Sequence, residues 1–205
     1  MTVNKPKEIR EKEILDAAFR SFSRKGIVKT SIDDIAVEAG LTKGGVYWYF
    51  KDKREIYLSM VERHLQEDID KWKELVKNSD LSLESIIEFG TNYLRYSIPD
   101  KNHLFIHAEL FAGSFKDEVL REKLNKVHRE YRDMLRRMLQ KLFEKSSLSG
   151  SDFKVDNVSC LILACLEGIE HQYWCSGDDD AGEFYENAWA NFITVLLGDI
   201  FREEK

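Results

Sequence analysis

The sequence predicts an all-α protein, and three observations carry that expectation. Pro6 and Pro99 are the only prolines, so residues 7–98 and 100–205 are free of the strongest helix breaker. Lys, Glu, Leu and Ala, all good helix formers, are abundant. Apolar residues recur at a three-to-four spacing along most of the chain, not in strict alternation. With 43% hydrophobic and 33% charged residues over 205 positions, a disordered chain is excluded and a buried core is expected. About nine helices are expected, the first few in an N-terminal unit, residues 1–68, and the rest in a larger unit, residues 69–205.

The elements follow in order. Ile14, Ala17, Ala18 and Phe22 share one face of a first helix, with Leu15 and Phe19 beside them, and Gly26 is a natural stop. Thr30 or Ser31 offers a cap for a short helix over residues 32–39, with Asp33 and Asp34 in its favourable first turn and Gly40 closing it. Thr42 caps another short helix running to about Phe50, and Asp52 opens a third. From Lys53 the positions Ile56, Met60, Leu65, Ile69, Trp72 and Val76 sustain a helix of more than five turns, broken at residues 78–82. Further helices are expected from Ser82 to Tyr96 or Ser97, stopped by Pro99, and over residues 102–111, ending near Gly113. Another covers residues 117–145, followed by a loop at 146–152 containing Gly150.

The last two helices are expected to differ from these. Residues 158–169 are apolar nearly all round. In residues 183–201, Phe184, Tyr185, Trp189, Phe192, Ile193, Val195, Leu196, Leu197, Ile200 and Phe201 cover more than half the circumference. That is more apolar surface than one chain can easily bury, so a homodimer through these two helices is expected, as a two-fold four-helix interface.

Net charge is −6, which by itself argues against a nucleic-acid partner. The average conceals an asymmetry. Residues 1–60 hold 12 Lys and Arg against 9 Asp and Glu, whereas the remainder holds 19 against 28. Two parts with different partners are implied. Three cysteines exclude a disulfide scaffold, and no apolar run reaches the roughly 18 residues of a membrane span. No signal peptide is apparent, so a cytoplasmic protein with reduced thiols and no membrane partner is expected.

The informative stretch is SIDDIAVEAGLTKGGVYWYFKDK, residues 31–53. Two short helices joined at Gly40–Leu41 have the spacing of a helix-turn-helix. Ile35, Ala36 and Ala39 face inward, and Leu41 and Val46 fill the angle. The second helix then presents Thr42, Lys43, Gly44, Gly45, Tyr47 and Trp48, a set suited to phosphate and base-edge contact. In Ser31, Ile35–Ala36, Ala39–Gly40–Leu41, Thr42, Gly44, Tyr47–Trp48–Tyr49–Phe50 and Lys53 the chain resembles the TetR family of transcriptional regulators. The likeness covers about residues 8–68, with the motif at 31–50.

The resemblance implies a DNA-binding repressor released from a palindromic operator by a small-molecule effector held in the C-terminal unit. It implies that Lys43, Gly44 and Gly45 enter the major groove, that Thr42 caps the recognition helix, and that Tyr47, Trp48 and Tyr49 meet the sugar-phosphate backbone. Thr30, Ser31 and Lys53 would pair with phosphate. Gly45 stands where the family often has Thr or Ser, which leaves Lys43 as the only long side chain to read a base and makes modest base specificity the expectation.

For the effector pocket, polar and aromatic groups on apolar helices are the candidates: Phe89, Tyr93, Tyr96, His103, His107, Glu109, Tyr131, Glu167, His171 and Tyr173, with Phe111 and Trp174 nearby in sequence. His103/His107 and His171/Cys175 are i, i+4 pairs with metal-ligand spacing, and with Glu167 they are candidates for a sensed ion, although no resident metal or cofactor is expected. No phosphate loop, nucleophile–base motif or CxxC is present, so no enzyme is expected. The competing reading is a helical ligand-binding module or enzyme without specific DNA binding.

Overall fold

The computed structural model describes residues 5–77, 82–144 and 152–202, and among these it contains nine α-helices and no strand. The helices are α1 (Lys7–Lys25), α2 (Ile32–Glu38), α3 (Lys43–Tyr47), α4 (Lys53–Lys77), α5 (Leu83–Ser97), α6 (Lys101–Ser114), α7 (Glu118–Glu144), α8 (Asp152–Ser176) and α9 (Gly182–Arg202). The all-α expectation holds. The chain divides into two compact units, Met1–Glu67 and Asp68–Lys205.

Several ends differ from the sequence reading. α3 stops at Tyr47, because the amides of Tyr49 and Phe50 both turn back to the Val46 carbonyl and Asp52 then caps α4 through the Glu55 amide (2.8 Å). α6 continues through Gly113 to Ser114. α8 starts at Asp152 and is 25 residues long, so it extends well beyond the apolar run at both ends. The expected break at 78–82 and loop at 146–152 lie outside the described residues, except that Ser82 caps α5 in a capping box with Ser85 and Asp152 begins α8.

In the N-terminal unit, Ile14, Ala17, Ala18 and Phe22 of α1 are fully buried, together with Ile35 and Val46 from the two short helices and Ile56 and Val61 from α4. Polar ties close the surface. Glu38 accepts from Arg20 (2.8 Å) and Arg24 (3.0 Å), and Arg63 pairs with Asp16.

The C-terminal unit is organised by two tryptophans. Trp72 of α4 stacks on Tyr131 of α7 (centroids 4.3 Å apart) and meets Phe89 and Tyr93 of α5 edge-on at 4.9 and 5.1 Å. Trp189 of α9 is fully buried against α5, and its indole N–H donates to the Ile87 carbonyl (2.8 Å). The indole lies over Gly90, where a Cβ would fall inside the ring. Along α9 the residues Tyr185, Trp189, Ile193 and Leu197, four apart, form the buried stripe. Phe184 and Val195, off that stripe, are 68% and 80% exposed.

Gly90→Ala tests this packing. The added methyl has to displace a ring that is itself fixed by a hydrogen bond, which costs about 1–3 kcal/mol. Urea unfolding of the variant should show a lower midpoint at unchanged slope.

Candidate nucleic-acid interface and ligand cavity

The helix-turn-helix is set by local backbone chemistry. Ser31 and Asp34 form a capping box at α2: the Asp34 amide donates to Ser31 Oγ (3.1 Å) and the Ser31 amide donates to Asp34 Oδ2 (2.9 Å). Hydrogen bonds from Lys25 and from Ser31 hold the Asp34 carboxyl well below the usual carboxylate range. At the other end Gly40 takes a φ of 65°, its amide donates to Val37 O (3.1 Å) and the Leu41 amide to Ala36 O (2.8 Å). This is a Schellman ending, which needs a residue free to adopt left-handed backbone. Thr42 then caps α3 by accepting from the Gly45 amide (3.1 Å). Ile35, Ala36 and Val46 are buried between the helices.

The exposed residues of this motif are Ser31, Asp33, Val37, Gly40, Thr42, Lys43, Gly44, Tyr47 and Trp48. Tyr47 is 46% and Trp48 83% exposed, without any burial within the chain to account for an indole in water. Tyr49 is half-buried and Phe50 is core. Lys43 is held by Asp33 of α2 (Nζ–Oδ2 2.7 Å), and that pairing raises its pKa. Neither Gly44 nor Gly45 has positive φ. A Cβ at Gly45 would come within 3.3 Å of the capping Thr42 hydroxyl, whereas one at Gly44 would meet nothing closer than 4.0 Å. The chain's own packing therefore accounts for glycine at 45 but not at 44.

Two side chains expected at phosphate are bonded within the chain itself. Thr30 is buried, and its hydroxyl donates to Gly26 O (2.8 Å) and Ser21 O (3.2 Å). Lys53 turns its ammonium onto the carbonyls of Ile27 (2.9 Å), Val28 (3.2 Å) and Thr30 (2.7 Å). A lysine ammonium has three protons, and here each has an acceptor. Both side chains tie down the turn between α1 and α2, which carries carbonyls left over by the helix end.

In the C-terminal unit a cavity of about 490 Å³ lies among α6, α7 and α8. His107, Ala108 and Phe111 line it from α6, Leu124 and His128 from α7, and Ala164, Glu167, Gly168, Glu170, His171 and Trp174 from α8. His128 Nε2 pairs with Glu167 Oε1 across its wall (3.0 Å). Of the ten expected pocket residues, His107, Glu167 and His171 are brought together here. The others are elsewhere. Phe89, Tyr93 and Tyr131 surround Trp72 in the core. Tyr96 carries Lys71 over its ring (3.7 Å). Tyr173 donates to Asp179 O (3.2 Å) and packs edge-on against Tyr185. Glu109 is half-buried on α6, outside the lining.

Beside the cavity is a buried charge cluster. Asp68 of α4 and His103 of α6 are 1% and 0% exposed and Glu170 of α8 is buried. His103 Nδ1 lies 3.5 Å from Asp68 Oδ2, and its Nε2 lies 3.5 Å from Glu170 Oε1. His107 Nε2 is 3.1 Å from the same Asp68 oxygen. Burial opposes a charge on His103, but hydrogen bonding to Asp68 and Glu170 outweighs it and raises the pKa to about 9. Burial, followed by the nearby Glu170 carboxylate, pushes the Tyr93 hydroxyl well above its usual range. The proposed joint site of His103/His107 with His171/Cys175 does not form. The second pair sits exposed on α8, Sγ to Nε2 3.7 Å, outside the group of close ligand atoms that contains Asp68, His103 and His107. Asp68 and Glu170 were missed in the sequence. Each is an acid on a buried stripe, Asp68 between Leu65 and Trp72, Glu170 between Leu166 and Tyr173, and that position was the available signal.

A family model described as bacterial regulatory proteins, tetR family, matches residues 14–60. An uncharacterized HTH-type transcriptional regulator of Bacillus subtilis, YfiR, is 30% identical over 197 residues, covering 94% of this chain and 95% of the relative. Among solved structures, the transcriptional regulator FadR of B. subtilis, in complex with stearoyl-CoA, superimposes with a TM-score of 0.73 at 19% identity over 89% of this chain and 96% of that one. SmeT, the repressor of a Stenotrophomonas maltophilia multidrug efflux pump, gives 0.71 at 19% identity over 91% and 89%. These last two likenesses speak to the fold.

Lys53→Met separates an anchor from a phosphate contact. Removing the donor strands three carbonyls, so the DNA-free protein should lose about 1–3 kcal/mol of stability. A melting temperature unchanged from the parent would return Lys53 to the phosphate role.

Proposed function

The chain belongs to the TetR family of bacterial regulatory proteins, and on that premise we propose that it is a repressor released from a palindromic operator by a small molecule in the α6–α7–α8 cavity. The observation that carries the DNA-facing part is the surface of α3. Trp48 and Tyr47 stand in water beside Gly44, whose Cβ space is open, so close approach of another molecule's backbone is the remaining reason for glycine there. Lys43 would exchange Asp33 for DNA on docking. Thr42 and Ser31, exposed beside it, supply hydroxyls for phosphate, and Gly45 and half-buried Tyr49 complete the contact edge.

A two-fold operator requires two copies with recognition helices about 34 Å apart, one turn of duplex. Leu161 and Trp174 on α8 and Phe184 and Val195 on α9 are exposed large apolar groups, which supports a homodimer through these helices. The cavity combines Phe111, Leu124 and Trp174 with the His128–Glu167 pair, which suits a lipophilic effector carrying a polar group. FadR was solved with stearoyl-CoA, and a SmeT structure holds triclosan, both lipophilic in part. An effector that prefers the DNA-incompetent state must weaken DNA binding by the factor by which DNA weakens the effector.

Fluorescence anisotropy on palindromic duplexes from upstream of the chain's own gene tests the reading, with affinity falling steeply as salt rises. Equal, weak binding to these and to random duplexes would sink it. Gly44→Ala should stabilise the free protein by about 0.5–1 kcal/mol, since helical glycine costs that much relative to alanine, while weakening operator binding at least tenfold. Lys43→Ala should lower the ratio of specific to random affinity; an equal loss on both makes Lys43 a phosphate contact only. In sedimentation velocity, Leu161→Glu combined with Val195→Glu should convert a dimer to a monomer.

A further inference from the structure

We propose that Asp68, His103 and His107 form a binding site for one divalent transition-metal ion of the class that imidazole and carboxylate ligands hold, zinc being the type case, with Glu170 orienting His103 from behind. The geometry carries this. Around an ion with bonds of about 2.0–2.1 Å, tetrahedral ligand atoms stand about 3.3 Å apart. Asp68 Oδ2 lies 3.5 Å from His103 Nδ1 and 3.1 Å from His107 Nε2, and the three ligand atoms lie within 4.8 Å of one another. His103 and His107 are one turn apart on α6, their rings 4.3 Å between centroids, so a single rigid helix supplies both nitrogens.

The fourth residue sits where an outer ligand belongs. Glu170 Oε1 is 3.5 Å from His103 Nε2, the nitrogen on the far side of the ring from Asp68. An imidazole that ligates through one nitrogen characteristically donates its other N–H to a carboxylate, which fixes the tautomer and the ring plane. The charges agree once both imidazoles are neutral, as ligation requires and as loss of the His103 proton on metal uptake provides: the two buried carboxylates then leave two negative charges, and one divalent cation cancels them. His107 and Glu170 also line the cavity, so the ion keeps a position facing it for water or an anionic group of a cavity ligand. The assignment stands apart from the DNA-binding reading, because metal uptake is read directly on the full chain.

The test is calorimetric titration of Zn²⁺ into chelator-treated, re-dialysed protein, with the absorption spectrum of the Co²⁺-loaded form as a second readout. One ion per chain at micromolar affinity or tighter is expected, with a Co²⁺ spectrum typical of nitrogen and oxygen ligands. His107→Ala, at a half-exposed position whose loss leaves the core intact, should weaken Zn²⁺ at least tenfold and alter the Co²⁺ spectrum. Glu170→Gln should weaken it about ten- to a hundredfold while the Co²⁺ spectrum persists. Should Glu170→Gln fail to fold, His107→Ala alone decides. Absence of Zn²⁺ binding, binding unaffected by His107→Ala, or binding abolished by Cys175→Ser would each overturn the assignment.

Discussion

Trp72 fixes the interior of the C-terminal unit. It is one of its largest side chains, and its ring is shared between Tyr131 on one helix and Phe89 and Tyr93 on another. Its indole N–H has no acceptor among the described residues, a cost of about 1–3 kcal/mol. Three aromatic contacts at about 0.5–1.5 kcal/mol each, in addition to the burial itself, exceed that cost. The consequence lies one turn away. With Trp72 locked, Asp68 on the same face of α4 is carried into the interior, where it meets His103 and His107. The core packing thus creates the charge cluster, and the cluster in turn borders the cavity.

The N-terminal unit solves a different problem. Helices of seven and five residues do not stand alone in water, where nucleation costs more than so few hydrogen bonds return. Their persistence depends on side chains that satisfy backbone groups: Ser31 and Asp34 at one end of α2, the Gly40 turn at the other, Thr42 at α3, and Lys53 with Thr30 beneath the preceding turn. Asp34, Thr30 and Lys53 are occupied internally, and Ser31 and Thr42 are partly so while staying exposed, so the groups left for a partner are few and concentrated at and around α3. Pairing leaves the modest basic excess of this unit unchanged but engages Arg20, Arg24, Lys25 and Lys43, which all face acids of α2. The surface of this unit therefore presents a handful of exposed groups and few unpaired cations from α1 and α3.

In the C-terminal unit glycine has the opposite use. At Gly90 the missing side chain admits Trp189 against α5, and the same indole reaches the Ile87 carbonyl. That contact orients α9, burying one stripe and turning Phe184 and Val195 outward. An outward apolar surface on the last helix is thus a product of how its inner face is held.

The sequence by itself determined the helical class, the caps at Ser31, Thr42 and Ser82, the Gly40 ending and the composition of the α3 surface. All of these depend on residues within a few positions of one another, where spacing and backbone chemistry are sufficient. It also pointed to His103 and His107, because an i, i+4 pair is a local fact. Tertiary structure alone decided which distant groups meet. It took Thr30 and Lys53 into the backbone of a turn, sent Phe89, Tyr93 and Tyr131 to the core, and brought Asp68 and Glu170 to either side of His103 instead of His171 and Cys175. The reason is physical. A periodic pattern tells which face of a helix is buried, but the neighbour that the face meets is set by packing between helices far apart in the chain.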